Sequence, residues 1–543
     1  MADYFGGHDN SSLSKKASTI TMSSLQDHSP DETSPLLPST PRTATNVTQS
    51  RYWLSRKQLT LVLILLVILA SSGDQIQESP QTRICESVMC YHYYEDTDPT
   101  KLLLDRSSVG PGAIGGVEEA YCKVNAVQEQ LAMLRGYQQL LDGLPSLLLA
   151  LPFGWAADRY GRRPILALGL LSFVLRFVWI QVVLWYWQAF DIRMTWLSTL
   201  HACLGGGSAV ISGVFFVVLS DITPEDERAG VFLRAGASSL LANFFMPPLS
   251  AWLMTINPWI PMFMGTMIYI ISLGAMPFIP ETLGYHDPSA RAGSYPRTPV
   301  TEHTPAPPPD MASAQVPISA DFAARWAGRL KDAASFLSDD WRVPTLILPF
   351  FGHMLIGTAS QLLLQYMSKR YEISFADATL LLSVYNGVKV LLLFVLLPYL
   401  STLVMRSFRL SGQKKDLYLA RASQLCVVVG YTLVGMSPNI PTGVISLAIA
   451  SLGSGAYLLL RSFITSLVPS HHVARVYSII TLVDTIGAMF GSAIMAGLFK
   501  RGLAIGSLGL PFYFLGLISA VFLILMCVVG LRPGEDEKHT SDT

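Results

Sequence analysis

Apolar runs that recur along the chain constrain its fold more than any other feature. Between residues 58 and 531 the sequence has about twelve mainly apolar stretches of roughly twenty residues, separated by polar loops. A helix of about this length crosses a hydrocarbon layer of roughly 30 Å. Only 14% of the residues are charged, against about a quarter in soluble proteins. We therefore predict an all-α polytopic membrane protein.

The predicted helices fall into two groups of six. The first starts near Leu59 and continues past Asp74, because the apolar run that ends at Ala70 is too short to span alone. The hydrophilic residues 79–131 are interpreted as an external loop. The other helices are predicted near residues 132–156, 164–187, 195–220, 230–255, 259–280, 343–368, 376–402, 417–436, 441–468, 473–498 and 508–531.

This layout divides the chain into five regions. They are a disordered cytosolic tail (1–57), an N-terminal six-helix bundle (58–280), a cytosolic linker (281–342), a C-terminal six-helix bundle (343–531) and a cytosolic tail (532–543). Arginine and lysine concentrate in alternate loops, which predicts that both termini are cytosolic. The segments Leu204–Pro224 and Leu452–Pro469 resemble each other, as expected of two pseudo-symmetric halves. The polar first fifty residues predict no cleavable signal peptide.

Two loop motifs carry a family resemblance. The first, between the second and third predicted helices, has its defined positions at Gly154, Asp158, Arg159, Gly161, Arg162 and Arg163. The second follows the fourth predicted helix and consists of Asp221, Pro224 and Arg228. Together they resemble the loop signatures of the major facilitator superfamily. The resemblance implies two six-helix bundles that transport by alternating access, with the first loop as a latch between them.

Other segments resemble a filamentous-fungal branch of that superfamily, distantly similar to proton-coupled folate and haem carriers. The carrying segments are Glu86–Cys90, Cys122–Gln128 and the first loop motif. A degenerate copy of the antiporter motif at Pro247–Leu249 favours efflux. His201 stands where many members carry a helix-four arginine, so the role of that arginine does not transfer directly. The resemblance also implies a Cys90–Cys122 disulfide; Cys85–Cys122 or free thiols are the alternatives.

Polar side chains inside apolar helices are costly, so each one needs a function or a partner. The protonatable candidates for proton coupling are Asp74, Asp142, His201 and Asp484. The candidates for the substrate cavity are Arg176, His353, Gln361, Lys389, Tyr457 and Arg461. The alternative is that some acids form fixed ion pairs with Arg176 or Arg461, and that His201 is an ordinary hydrogen-bonded histidine at a helix end.

The sequence therefore predicts a secondary active transporter of a small organic molecule, proton-coupled and monomeric, in the plasma or vacuolar membrane. Efflux of a metabolite or xenobiotic is favoured; proton-coupled import of a nutrient or cofactor and a non-transporting sensor are the alternatives. No enzyme motif, cofactor site, metal site or nucleic-acid-binding feature is expected. Glu32, Leu36 and Leu37 fit a dileucine signal for a sorting adaptor in the N-terminal tail.

Overall fold

The computed structural model describes residues 56–282, 341–408, 412–468 and 473–529. Twelve long helices and no strands are present in these residues, which confirms the predicted fold class. The helices are α1 (Arg56–Thr97), α2 (Asn125–Tyr160), α3 (Arg162–Trp185), α4 (Ile192–Ile222), α5 (Glu225–Ile256), α6 (Trp259–Gly274), α7 (Arg342–Tyr371), α8 (Phe375–Met405), α9 (Gly412–Met436), α10 (Ile440–Leu467), α11 (Val473–Ala504) and α12 (Leu510–Val528). Eleven are long and apolar enough to cross a membrane, and α2, bent by 49°, is the twelfth. The predicted sorting signal lies outside the described residues.

The helices pack in the same pattern in both halves. In the first half α1 packs on α5, α2 on α4 and α3 on α6; in the second half α7 packs on α11, α8 on α10 and α9 on α12. The main contacts between the halves are α2 with α11 and α5 with α8. These two pairs are also equivalent, because α2 corresponds to α8 and α5 corresponds to α11. Each half therefore buries its own apolar faces, and the two meet along a pseudo-symmetric interface.

The first helix differs from the expectation. The sequence predicted a loop over residues 79–131, but α1 continues to Thr97 and α2 already begins at Asn125. The extension of α1 is polar overall, yet one face carries Ile84, Val88 and Tyr91, each at most 1% exposed. The prediction was wrong because a length criterion based on apolar residues ends a helix where charges begin. Packing against the folded loop sustains the helix further.

Glycine breaks interrupt α4 and α10 at corresponding places. The sequence predicted a continuous helix over 195–220, but α4 begins as a 3₁₀ segment and breaks at Gly206, which has a φ of +76°. A Cβ added at Gly205 would lie 2.8 Å from the Cα of Gly169, so α3 and α4 approach too closely for a side chain there. In α10 the break is the 3₁₀ turn Gly453–Gly455. The two segments with similar sequences, Leu204–Pro224 and Leu452–Pro469, thus also share a helix break.

A disulfide closes the segment between α1 and α2. Cys90 and Cys122 are joined, as the family resemblance implies, and Cys85 is a buried free thiol. The indole of Trp187 donates to the carbonyl of Gly110 within this segment, at 3.2 Å. We call this end of the bundle the disulfide end. The opposite end, which holds residues 158–163, is called the arginine end.

Replacement of both bridged cysteines should lower stability. The Cys90→Ser/Cys122→Ser variant loses a cross-link over a 32-residue separation, which in the chain-entropy treatment corresponds to about 3.7 kcal/mol. We expect a lower midpoint of thermal unfolding in detergent, measured by intrinsic fluorescence. Cys203→Ser, which changes an exposed free cysteine, is the control and should behave as wild type. An equal midpoint for all three proteins would contradict a stabilising role for the bridge.

Candidate functional site

Two adjoining cavities lie between the halves. Their volumes are about 300 and 560 Å³. Residues shared by both linings come from α1 and α7, one helix from each half: Gln75, Glu78, Met354 and Gln361. Volumes of this order fit a small organic molecule. We refer to the smaller one as the first cavity and to the larger one as the second cavity.

The first cavity collects four of the predicted substrate-binding residues. These are His353, Gln361, Lys389 and Tyr457. Glu78 and Asn243 also line it, although the sequence analysis did not select them. Glu78 was missed because it was placed at the edge of a loop, whereas it lies well inside α1.

The second cavity contains three of the predicted proton-coupling acids, Asp74, Asp142 and Asp484. Arg176 also lines it and donates from Nη2 to Asp142 Oδ2. The other carboxylate oxygen of Asp142 is buried and accepts no hydrogen bond from the described residues. Arg135 is a further cation of this lining that sequence reasoning missed. An acid, its arginine partner and an unused carboxylate oxygen therefore meet at the cavity wall.

A second acid in the same lining has two basic neighbours. Asp484 Oδ2 lies 3.3 Å from Arg461 Nη2, and its Oδ1 lies 3.5 Å from His353 Nδ1. Arg461 itself lines neither central cavity, contrary to the expectation that it binds substrate. Its guanidinium is held by Asp484 and lies over the rings of Phe350 and Tyr477. The ion pair explains its presence in the membrane without a ligand.

His201 lies outside both central cavities. It is 8% exposed, its Nδ1 is 2.9 Å from the carbonyl oxygen of Ser198, and its ring packs edge-on to Phe173 at 5.0 Å. This geometry resembles the hydrogen-bonded histidine that the sequence left open as an alternative, although His201 lies inside α4, where the 3₁₀ segment Ile192–Leu200 ends. In the described residues, no group of three or more His, Cys, Asp or Glu side chains is placed to hold a metal ion.

At the arginine end, Arg162 connects both loop motifs. Its side chain bonds Asp158 at 2.7 Å and lies 3.3 Å from Asp221 of the second motif. Its backbone N–H and that of Arg163 donate to the Glu281 carboxylate at 2.7 and 3.1 Å. Glu281 thus binds the first N–H groups of α3, where the helix dipole favours an anion. Sequence reasoning missed it because it comes 118 residues after Arg163.

The other motif residues have different surroundings. Gly161 adopts a φ of +111°, which disfavours any other residue. A Cβ added at Gly154 would meet nothing within 4 Å, so packing does not require a glycine there. Arg159 lies over the ring of Trp155 at 5.1 Å. Pro224 directly precedes α5. The side chain of Arg228 is not among those that the structure describes.

The disulfide end carries a buried charge network. Glu86 is fully buried and bonds Lys123 at 2.9 Å, while Glu119 bonds Arg83 at 2.9 Å and lies 3.4 Å from Lys123. Burial opposes ionisation of Glu119, but Arg83, Lys123 and the N–H of Phe375 outweigh it and lower the pKa of its carboxyl. Glu119 is therefore held as an anion.

The same network joins the two halves. The N–H of Phe375, at the start of α8, donates to Glu119 at 2.8 Å, and Gln365 of α7 donates to Gln128 at 2.9 Å. Lys369 donates to the carbonyl of Lys123. An ion pair of 2.8 Å between Lys500 and Glu129 adds a further contact. The halves are thus bound together at the disulfide end by Glu119 inside the disulfide-closed segment and by residues that directly follow it.

Comparisons with known proteins agree with this architecture. The family model described as Major Facilitator Superfamily matches residues 136–492. Two curated relatives are 28% identical: the "MFS-type transporter aprT" of Aspergillus flavus, over 90% of this chain and 91% of the relative, and the "MFS efflux pump atnC" of Emericella nidulans, over 92% of each. The "efflux pump ustT" of Aspergillus flavus is 27% identical over 82% of this chain and 83% of the relative.

Solved structures share the fold at low identity. A D-xylose–proton symporter superposes with a TM-score of 0.57 and 12% identity, covering 88% of this chain and 98% of that one. A bacterial homologue of the iron transporter ferroportin, solved in an inward-facing state, gives a TM-score of 0.53 and 13% identity, covering 87% of this chain and 99% of that one. These likenesses support the fold alone.

Neutralisation of Glu281 should destabilise the arginine end. In Glu281→Gln the amide can accept from only one side, so one charge-assisted bond to the start of α3 is lost, at a cost of about 1–2 kcal/mol. We expect a lower thermal unfolding midpoint in detergent. Glu227→Gln is the matched control, because Glu227 is 63% exposed and has a 3.5 Å ion pair with Arg56. Equal midpoints in the two variants would show that Glu281 does not support α3.

Proposed function

The chain belongs to the Major Facilitator Superfamily and is a membrane transporter, and we propose that it exports a small organic molecule in exchange for protons. Relatives named as efflux pumps, which match over most of the chain, support export. The observation that carries proton coupling is the Asp142–Arg176 pair in the wall of the second cavity.

The proposed coupling depends on competition for Asp142. While Arg176 binds one carboxylate oxygen, the other is free of hydrogen bonds from the described residues and can accept a proton. A neutral Asp142 would release Arg176, because the ion pair is what offsets the cost of desolvating both groups. Asp484 offers an equivalent arrangement in the second half, with Arg461 and His353 as its partners. Protonation at the cavity would thus change the charges that face the substrate.

The proposed orientation places the disulfide end outside the cytosol. Disulfides persist in oxidising compartments, and the arginine-rich loop belongs on the cytosolic side by the positive-inside rule. Both termini are then cytosolic. The contacts of Glu119 and Gln128 with the second half correspond to a state that is closed on the external side. Alternating access would require these contacts to open while the arginine end closes.

The first measurement is proton movement in proteoliposomes loaded with a pH-sensitive dye and supplied with a panel of small organic metabolites. We expect substrate-dependent proton flux that falls at least about tenfold in Asp142→Asn, because the variant cannot ionise. Asp96→Asn, which changes an exposed acid at the disulfide end, is the control and should retain the flux. The direction of substrate movement under each sign of the gradient separates export from import.

Three results would contradict the proposal. Substrate movement without proton movement in wild type would leave a facilitator. Proton flux that persists in both Asp142→Asn and Asp484→Asn would remove these acids from the coupling step. A protein that moves no substrate in liposomes and yet alters signalling in cells would instead be the non-transporting sensor.

Loss of the Glu119 charge should open the disulfide end. Among the groups that lower the pKa of the Glu119 carboxyl, Arg83 and Lys123 belong to the first half and only the N–H of Phe375 belongs to the second. The bond from Phe375 therefore favours closure above the ordinary pKa of 4.5, and its stabilisation is lost as pH falls through the lowered value. Glu119→Gln should therefore lose most of it at pH 7. With hydrogen bonds to charged groups worth about 1.5–3 kcal/mol, the ratio of open to closed molecules should rise about tenfold or more.

Spin labels at Ala120 and Glu372, on opposite halves, would report this opening as a longer distance in pulsed electron resonance. Glu118→Gln is the matched control, since Glu118 is exposed and directly precedes Glu119. Identical distance distributions for wild type, Glu118→Gln and Glu119→Gln would show that Glu119 does not hold the halves together.

A further inference from the structure

Two side chains of opposite charge line the first cavity, one from each half. Glu78 comes from α1 and Lys389 from α8. Neither makes an ion pair within 4.0 Å, or a side-chain hydrogen bond, with any residue that the structure describes. They differ in this respect from Asp142 and Asp484, which are both paired with arginine.

Unpaired charges in the wall of a cavity between membrane helices require an explanation. A charged side chain inside a membrane helix costs a few kcal/mol on insertion scales, and it is kept where it meets water, a partner or a ligand. Beside Lys389, the Asn386 amide donates to the carbonyl of Asn243 on α5, at 3.2 Å. The charges that act on Glu78 are Arg135 and Asp74, both in the second cavity. Glu78 therefore stands where the two cavities join, and Lys389 stands in the first cavity alone.

The rest of the first cavity provides flat and weakly polar surfaces. Tyr385, Tyr431 and Tyr457 line it, and the hydroxyls of Tyr385 and Tyr431 lie 3.4 Å apart. Gln361 and Asn243 supply amide groups. Aromatic rings favour a flat or aromatic ligand body, while the two charges act on its polar ends.

We propose that the first cavity binds an amphoteric aromatic molecule, whose carboxylate meets Lys389 and whose protonated amine meets Glu78. An amino acid derivative or a short aromatic peptide has this chemistry. Because the two charges come from different halves, such a ligand bridges α1 and α8 when it is bound. The inference rests on the proposed function for its premise that this cavity is the transport site.

A competing explanation is that Glu78 and Lys389 bind each other in another conformation of the transporter. Their removal would then change the equilibrium between conformations but not the choice among ligands. The two explanations separate when the same ligand is offered with each of its charges removed in turn.

The test uses isothermal titration calorimetry on the purified full-length protein in detergent. The probes are tryptophan and phenylalanyl-tryptophan, each with its methyl ester and its N-acetyl derivative. We expect wild type to bind at least one parent molecule about tenfold more tightly than either derivative. Lys389→Gln should bind that parent and its ester equally, and Glu78→Gln should bind the parent and its N-acetyl form equally.

Lys500→Gln is the control, because Lys500 pairs with Glu129 at the disulfide end and lines neither cavity. It should discriminate as wild type does. Wild type that binds no parent molecule, or binds parents and derivatives equally, would overturn the inference. So would Lys389→Gln and Glu78→Gln variants that keep the wild-type ratios, as the competing explanation requires.

Failure of this inference can be distinguished from failure of the proposed function. Proton-coupled transport of a neutral metabolite, together with no discrimination among the probes, would overturn the inference and leave the transporter proposal intact. Charge-dependent binding without any proton flux in proteoliposomes would support the ligand class and overturn the coupling.

Discussion

The hydrocarbon layer supplies no hydrogen-bond partner, so every charge on a spanning helix must find one inside the bundle or in a water-filled cavity. The Asp142–Arg176 and Asp484–Arg461 pairs meet this requirement with partners from neighbouring helices. Both acids line the second cavity. Their ion pairs therefore stabilise the charges inside the bundle and also lie where protons and a ligand can reach them. A proton can replace the arginine at little cost only where the pair is not shut away from the cavity. In the proposed mechanism, the position of the cavity between the halves is what would let these ion pairs couple protonation to transport.

The two ends of the bundle satisfy their polar groups differently. At the arginine end, Arg162 and Glu281 tie together segments of the first half, including the start of α3. At the disulfide end, Glu119 and Gln128 bond to the second half. The helix pairing repeats between the halves, so in the proposed alternating-access cycle each half would move as a packed unit, and the contacts between Glu119 or Gln128 and the second half would have to break. The disulfide keeps Glu119 and Lys123 in place without crossing between the halves.

The sequence predictions were accurate for features that depend on residues close together in the chain, and they failed for contacts between distant residues. Apolar runs and loop motifs are local, and they predicted the twelve helices and two residues that contact Arg162, Asp158 and Asp221. The extension of α1 to Thr97 was missed because its stability comes from packing against a folded segment rather than from apolar length. Glu78 was not selected as a candidate for the same reason, because it was placed at the edge of the predicted loop. Glu281 could not be assigned because its partners precede it by more than a hundred residues, and no local pattern marks such a contact.

Apolar length, composition and a repeated segment were enough to predict a membrane protein with two related halves and with charged residues in its helices, because these features are read along the chain. Which of those charges are paired became known only from the packing of the helices. Arg461 and Lys389 are indistinguishable as isolated cations on apolar helices, yet one lies against Asp484 and the other lines a cavity without a partner among the described residues. That difference depends on how neighbouring helices rotate and pack, and it distinguishes a structural ion pair from a candidate binding group.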